Sequence, residues 1–435
     1  MSGSIEPRLL KGFHDFLPER ELLRKEILRK LEATFRLFGF VPIDTPVLEY
    51  SEILLGKGGG ETDKQIYRFR DHGGRDVAMR YDLTVPFARF MASHLGELHL
   101  PFKRYHAAKA WRGENTQKGR FREFLQVDFD IVGTDSPSAD LEILLLMREC
   151  MRNLGVERYA IHFAHRGLFN AFLSDLGVGE RSVDVLRIVD KERKIGAEKT
   201  REMLADIAGE KKVEAIMKFI GQKGPARPIL ERLQTAAEKT GEPISRLSEI
   251  SRGLHELGVE ESFILDTSIT RGLDYYTGIV FETFLLDIPD IGSVCSGGRY
   301  NDLASLYTTQ SIPGVGASIG LDRLLSALEA QGVLQPARAA ADVLVLFLDD
   351  ALLPSYQRFA MALRAEGISA EVYPEAKKLS SQFHYAEKKG IRLALIHGPD
   401  EAGRGTVGLK DLESRQSYDG ISLGTAIEKA KELLR

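Results

Sequence analysis

Between Lys103 and Gly133, arginine, glutamate and phenylalanine recur at spacings that would turn them toward one ligand. The run reads as a strand, a charged loop and a returning strand. Arg112 and Glu114 stand two apart at the end of an apolar stretch, which on a strand puts both on one face. Arg120 and Phe124, four apart, repeat that geometry after the loop. A guanidinium fork grips phosphate, a carboxylate takes an exocyclic amine, and an aromatic ring offers its face to a purine. Together they would form a nucleotide site without a P-loop. Seven basic residues against one acid between Lys103 and Arg122, in a chain of formal net charge −4, also ask for a local anionic partner. A solvated hairpin tip would account for the charge run by itself.

Four further stretches carry residues with chemical potential. Asp82 and Thr84 close a short strand, where they would either cap a helix beginning near Pro86 or seat a substrate ammonium. TRGLDYYTG, Thr270 to Gly278, sets one arginine, one acid and a tyrosine pair between glycines; packing alone would also account for the tyrosines. CSGGRYNDL, Cys295 to Leu303, has adjacent glycines that let backbone approach a ligand closely. PGVGASIGLDRLLSAL, Pro313 to Leu328, passes from a small-residue strand into a helix carrying Arg323. The glycine-rich Leu55 to Asp63 lacks the Gly-Lys-Ser/Thr ending of a phosphate loop and reads as a mobile loop.

The elements that must position these residues follow from periodicity. Leu23, Ile27, Leu31 and Phe35 recur every four residues, predicting an amphipathic helix over Glu21 to Phe38 that stops at Gly39. FVPIDTPVLEY is extended, with Pro46 suited to a sheet edge or kink. Short strands are predicted over Ile66 to Phe69 and Val77 to Tyr81, and a helix over Ser138 to Leu154 opened by a serine cap. From about Gly167 to Leu257 the pattern is helical throughout, as in an inserted module. After a linker near Gln335 to Ala341, strands and helices alternate as in a parallel α/β domain.

At 435 residues the chain is too long for one core. The slight negative charge excludes a general nucleic-acid coat, so any nucleic-acid contact must be local. Its two cysteines, Cys150 and Cys295, lie far apart without a Cys/His cluster, against structural zinc or a disulfide framework. Neither a signal peptide nor an apolar run of bilayer length is evident, which predicts a cytoplasmic protein without membrane attachment.

Arg-x-Glu, loop, Arg-x-x-x-Phe resembles the second signature motif of class II aminoacyl-tRNA synthetases. Gly320-Leu321-Asp322-Arg323 is similar to the third, and the leading helix with its Pro46 strand to the first. TRGLDYYTG and CSGGRYNDL resemble two signatures of the histidyl-tRNA synthetase family. The resemblance implies an α+β catalytic domain with an antiparallel sheet flanked by helices, in two parts over 1–166 and 259–334. It implies a helical insertion over 167–258 and an anticodon-binding α/β domain over 341–435. The implied activity is ATP-dependent ligation of histidine to histidine tRNA through a histidyl-adenylate, by a homodimer.

Carried over residue by residue, the resemblance makes Arg112 and Arg271 catalytic, at the α-phosphate. It gives ATP to Arg112, Glu114, Arg120, Phe124 and Arg323, with Mg2+ on the phosphates and no protein metal site. Histidine goes to Asp82, Thr84, Arg112, Gln126, Asp130, Arg271, Tyr275 and Tyr276. The tRNA acceptor end goes to Gln117 and Lys118. The alternative is a non-catalytic histidine-binding paralogue, the regulatory subunit of ATP phosphoribosyltransferase. Such relatives lack the C-terminal domain and erode the arginines, both of which this chain keeps.

Overall fold

The computed structural model describes residues 5–56, 65–115, 119–236, 241–269, 276–332 and 339–434, with backbone only at 193, 194, 235 and 236. Residues 57–63 of the glycine-rich stretch, Gln117, Lys118, Arg271 and Tyr275 lie outside the described residues. Two compact units emerge, Met1–Asp15 with Arg24–Leu334 and Phe16–Leu23 with Gln335–Arg435.

Helix α1 (Pro18–Leu37) buries the stripe Leu23, Ile27, Leu31 and Phe35 and ends at Gly39, whose φ of +79° no β-carbon-bearing residue adopts cheaply. Pro46 falls between β1 (Val41–Pro42) and β2 (Leu48–Tyr50) rather than inside either, so no ladder donor is lost. After α2 (Ser51–Leu55), β3 (Arg68–Arg70) and β4 (Asp76–Met79) join β2 in a three-stranded sheet of order β2-β4-β3. Helix α3 (Thr84–His94) leads to β5 (Phe102–Trp111) and β6 (Glu123–Val132), paired without a slip from Phe102 opposite Val132 to Trp111 opposite Glu123. Helix α4 (Pro137–Asn153) opens earlier than Ser138 because Ser136 is the cap, its hydroxyl accepting from the Ser138 N–H, with Pro137 in the first turn. Strand β7 (Tyr159–His165) follows.

The next stretch is helical as its composition predicts: α5 (Arg166–Asp175), α6 (Ser182–Ile195), α7 (Ala197–Ala208), α8 (Glu210–Ile220), α9 (Ala226–Ala236) and α10 (Gly241–Glu256). One departure is the two-residue β8 (Lys223–Gly224), which pairs with β9 (Phe263–Asp266) and so joins the main sheet. The chain then completes that sheet with β10 (Ile279–Leu285), β11 (Ser293–Arg299) and β12 (Gly314–Gly320) before α11 (Leu321–Gln331). The order is β1-β5-β6-β12-β11-β10-β7-β9-β8, antiparallel from β5 through β7 and parallel only where β1 meets β5 and β9 meets β7.

A buried ion cluster locks α10 to this sheet. Asp140 of α4, wholly buried, accepts from Arg299 Nε and Nη2 at 2.9 and 2.7 Å on one oxygen and from Arg246 Nε at 2.6 Å on the other. Arg246 also donates to the Asp135 carbonyl at 2.8 Å, and Arg299 to the Thr134 carbonyl at 3.0 Å. A second tie joins Thr267, just past β9, to the end of α8, its hydroxyl donating to the Phe219 carbonyl at 2.5 Å.

The second unit contains β13 (Val343–Val345), α12 (Leu353–Ala365), β14 (Ala370–Val372), α13 (Leu379–Lys389), β15 (Leu393–Ile396), α14 (Pro399–Arg404), β16 (Val407–Asp411), β17 (Ser417–Ile421) and α15 (Leu423–Leu434). Its sheet runs β14-β13-β15-β16-β17, parallel among the first three and antiparallel after. The apolar β13 and β15 are buried on both faces, as parallel strands between helices must be.

Candidate active site

Strand alternation divides the β5–β6 hairpin into an apolar and a polar face. Tyr105 and Phe129 turn to α1, where both rings meet Phe35 at 5.2 and 5.1 Å between centroids. Arg104, His106, Gln126, Asp128 and Asp130 take the other face, and all five are buried. The outer part of that face opens into a cavity of about 440 Å³. Its wall gathers Arg112, Glu114, Arg120, Phe124, Gln126, Asp82, Thr84, Tyr276 and Arg323. Residues separated by hundreds of positions thus meet because β6, β11 and β12 are neighbours in the sheet.

At the outer end the nucleotide candidates hold one another. Arg112 donates through Nε to the Tyr81 carbonyl at 2.8 Å, and its guanidinium carbon lies 5.1 Å from the Phe124 ring centre. Arg120 and Glu114 form an ion pair at 3.6 Å. Arg323 donates to the Ser293 carbonyl at 2.6 Å from the first turn of α11. Its neighbour Asp322 fixes the hairpin to α11 by accepting from the Leu125 N–H at 2.8 Å.

At the inner end Asp82 caps a helix with one oxygen and has a second to spare. Oδ1 accepts from the Val85 N–H at 3.1 Å, capping α3, while Oδ2 is buried with no hydrogen-bond partner. Burial pushes this carboxyl up to about 7, against the pull of Arg112. Gln126 donates to the Ser318 hydroxyl at 2.8 Å and leaves its own carbonyl oxygen unpartnered. Two orphan acceptors beside Thr84 suit a donor-rich cation such as an ammonium.

Asp130 does not reach the cavity wall. It lies four residues deeper than Gln126 on the same strand face, 3% exposed, where Tyr300 donates to Oδ1 at 2.5 Å and Arg104 Nη2 stands 2.7 Å from Oδ2. Burial pushes its carboxyl up to about 6, opposed by Arg104. Arg104 is fully buried, 3.9 Å above the Phe87 ring, and neither Nε nor Nη1 has a hydrogen-bond partner. Each orphaned buried donor costs roughly 1–3 kcal/mol, so this cluster is retained at a stability cost.

The basic run therefore serves an external anion less than its charge implies. Lys103 pairs with Glu142, Lys109 with Glu123 at 2.6 Å, and Arg104 with Asp130. Among the described residues of the run, Arg112 and Arg120 line the cavity. Inspection of the sequence misses Gln65, Ser318, Glu282 and, from α6, Asp190, all in the cavity wall. Only Ser318 had an accessible signal, standing two before Gly320 of the third motif, on the face that β12 shares with Asp128. Among the described residues no three His, Cys, Asp or Glu side chains are grouped to hold a metal.

Comparison with known proteins fits this geometry. A family model described as histidyl-tRNA synthetase matches residues 12–324, and one described as anticodon binding domain matches 342–433. The histidine–tRNA ligase of Treponema denticola is 49% identical, covering 99% of each chain, and that of Rhodopirellula baltica 47%, covering 95% of each. The crystal structure of histidyl-tRNA synthetase from Nostoc sp. PCC 7120 superposes with a TM-score of 0.89 at 32% identity, over 99% of this chain and 100% of that one. With a family model spanning most of its length and relatives this similar from end to end, the chain belongs to the histidyl-tRNA synthetase family.

Proposed function

We propose that this protein activates histidine with ATP and transfers it to histidine tRNA. The observation that supports the reading is one cavity with Arg112, Arg120, Arg323 and Phe124 at one end and the unpartnered oxygens of Asp82 and Gln126 at the other. A carboxylate is ionised at neutral pH, so the substrate carboxylate attacks the α-phosphorus without a general base. Catalysis then rests on alignment and on stabilising charge that builds on the phosphoryl oxygens. Arg112 takes the α-phosphate with Arg271, Arg323 the γ-phosphate, and Arg120 the phosphate tail. Glu114 takes the adenine amine and Phe124 stacks on the purine, once Arg120 and the Arg112 guanidinium exchange their present partners for ligand.

Asp82, Thr84 and Gln126 seat the ammonium. Tyr276, with Asp130 below it, serves the imidazole, alongside Tyr275. Mg2+, which binds triphosphates with few protein ligands, would supply neutralisation of the phosphate charge there. Of the carboxylates that line the cavity, Asp82, Glu114, Asp190, Glu282 and Asp322, Glu282 and Asp190 carry no other assigned role and would be the ones to share such a cation. Bonds then change twice: pyrophosphate leaves as the mixed anhydride forms, and a terminal ribose hydroxyl of the tRNA displaces AMP. Gln117 and Lys118 meet the acceptor end, and the C-terminal unit reads the anticodon.

We infer a homodimer from the exposed apolar side chains of Leu37 (81%), Val41 (47%), Leu48 (45%), Tyr50 (52%) and Phe69 (46%) on α1, the edge strand β1 and the small sheet. A cytoplasmic location suits the reaction and two buried unbridged thiols, and no described helix is long and apolar enough to cross a membrane. The regulatory-subunit alternative is disfavoured by the anticodon-domain match and by ligases aligned over nearly the whole chain. ATP–pyrophosphate exchange across the twenty amino acids tests the reading: histidine alone should support exchange, and exchange with another amino acid, or none, overturns it.

A further inference from the structure

We propose that Arg104 is a specificity-determining positioning residue for histidine, holding Asp130 as a fixed hydrogen-bond acceptor for the imidazole N–H. The inference rests on the proposed histidine site and adds to it a residue that touches no substrate.

Arg104 belongs by sequence to the basic run, yet it is 0% exposed and cannot serve an anion outside the fold. Its guanidinium is held from below by the Phe87 ring, 3.9 Å away. The charges it faces are the carboxylates of Asp130, Asp128 and Asp82, the first across the β5–β6 ladder in register. Its Nη2 lies 2.7 Å from Asp130 Oδ2 without being aligned as a hydrogen bond, so charge rather than a shared proton couples them.

Asp130 has one oxygen held by a hydrogen bond and the other beside the Arg104 charge. Tyr300 donates to Oδ1, fixing the carboxylate plane, while Oδ2 lacks a hydrogen-bond donor. Gly316 opposes it on β12, and any β-carbon there would overlap the carboxylate. The glycine thus leaves the room that the carboxylate occupies, and the Tyr300 hydroxyl holds it there. Without Arg104, burial beside Asp128 would favour the protonated acid, which donates where the pocket needs an acceptor. Neutral imidazole carries one N–H donor and one acceptor nitrogen, and a ring lacking the N–H would leave Asp130 unsatisfied. Rejection of analogues is strong when a buried polar group is left unpaired, so the discrimination depends on the charge of Asp130 and hence on Arg104.

The test uses the full-length protein and pyrophosphate exchange with L-histidine and with 3-(thiazol-4-yl)alanine, whose ring accepts but has no N–H. Wild type should prefer histidine strongly. Arg104→Met should raise the KM for histidine at least about tenfold and cut the preference over the thiazole by about tenfold or more, with the KM for ATP unchanged within about twofold. Arg104→Lys, which keeps the charge, should recover part of the preference. Tyr300→Phe, which removes only the hydroxyl, should reduce the preference a few-fold and serves, with Arg104→Lys, should Arg104→Met fail to fold. Unchanged preference in folded variants overturns the proposal, as does a parallel rise in both KM values, which marks Arg104 as packing only. Absence of histidine-dependent exchange in wild type would instead overturn the proposed function, so the two failures are distinct.

Discussion

Gly316 lies directly across the β6–β12 ladder from Asp130, and a β-carbon on it would stand 2.0 Å from the Asp130 carboxylate oxygen. A glycine that serves by the space it leaves, rather than by its backbone freedom, thereby makes room for the buried Asp130 carboxylate beneath the cavity.

Gly316→Ala should therefore displace Asp130 and strain the ladder. Overpacking of this kind costs about 1–3 kcal/mol. The expected result is a lowered thermal transition and loss of histidine-dependent exchange, with ATP binding retained. Normal histidine KM in the variant would show that Asp130 can relocate without consequence.

Arg112 and Arg323 should separate by kinetics. Arg112→Ala is expected to lower kcat for adenylate formation by about two to three orders of magnitude, the usual loss on removing a transition-state donor. Arg323→Ala should act chiefly on the KM for ATP, by about tenfold, because a γ-phosphate contact is made before and during reaction alike. Single-turnover adenylate formation measures both, and equal effects on kcat would contradict the assigned positions.

Asp82 predicts a pH dependence of defined sign. Its folded carboxyl stands near 7 against an ordinary 3.8, because burial opposes ionisation. Stability from this group is present in full below about 4 and is lost as pH rises through 7, where the buried carboxylate must charge. Histidine, bringing an ammonium, favours the ionised form, so its affinity should rise over the same interval. Thermal melts and calorimetric titrations from pH 5 to 8 should show both trends, and Asp82→Asn should flatten them. Asp130, near 6, adds a lower-pH component that the Asp82 variant retains.

Asp140→Ala should be among the most damaging substitutions outside the cavity. It would strand Arg246 and Arg299, 7% and 1% exposed, without their shared carboxylate. Breaking a buried pair costs about 3–5 kcal/mol. Denaturant unfolding of the full chain is the measurement, and a loss below about 1 kcal/mol would mean that Asp135 and Glu242 compensate.

Gln117→Ala should reduce charging of tRNA that carries the extra 5′ guanosine marking histidine tRNAs, leaving pyrophosphate exchange intact. Lys118→Ala should weaken all tRNAs alike and flatten the salt dependence, as loss of a phosphate contact does. Equal loss on tRNA with and without the guanosine for Gln117→Ala would remove its base-reading role.

By itself the sequence determined the order of most elements and which residues stand at the outer end of the candidate site. Helix α1 was legible because Leu23, Ile27, Leu31 and Phe35 share one face at a four-residue period, and the β5–β6 hairpin because apolar runs flank a charged loop. Arg112, Glu114, Arg120 and Phe124 were legible from their types and spacing, although the strands end short of most of them: Arg112 and Glu114 follow β5 and Arg120 precedes β6, so that Phe124 alone of the four stands in a strand. Tertiary structure alone decided which basic residues remained available to a ligand: Arg104 and Lys109 are spent on Asp130 and Glu123, partners that depend on hairpin register. It also decided that Asp82 caps α3 with one oxygen and offers the other to the cavity, and that Asp130 lies beneath the wall. These outcomes turn on burial and on neighbours from β11, β12 and α6, whose contacts are set by sheet order, and no spacing along the chain encodes that order.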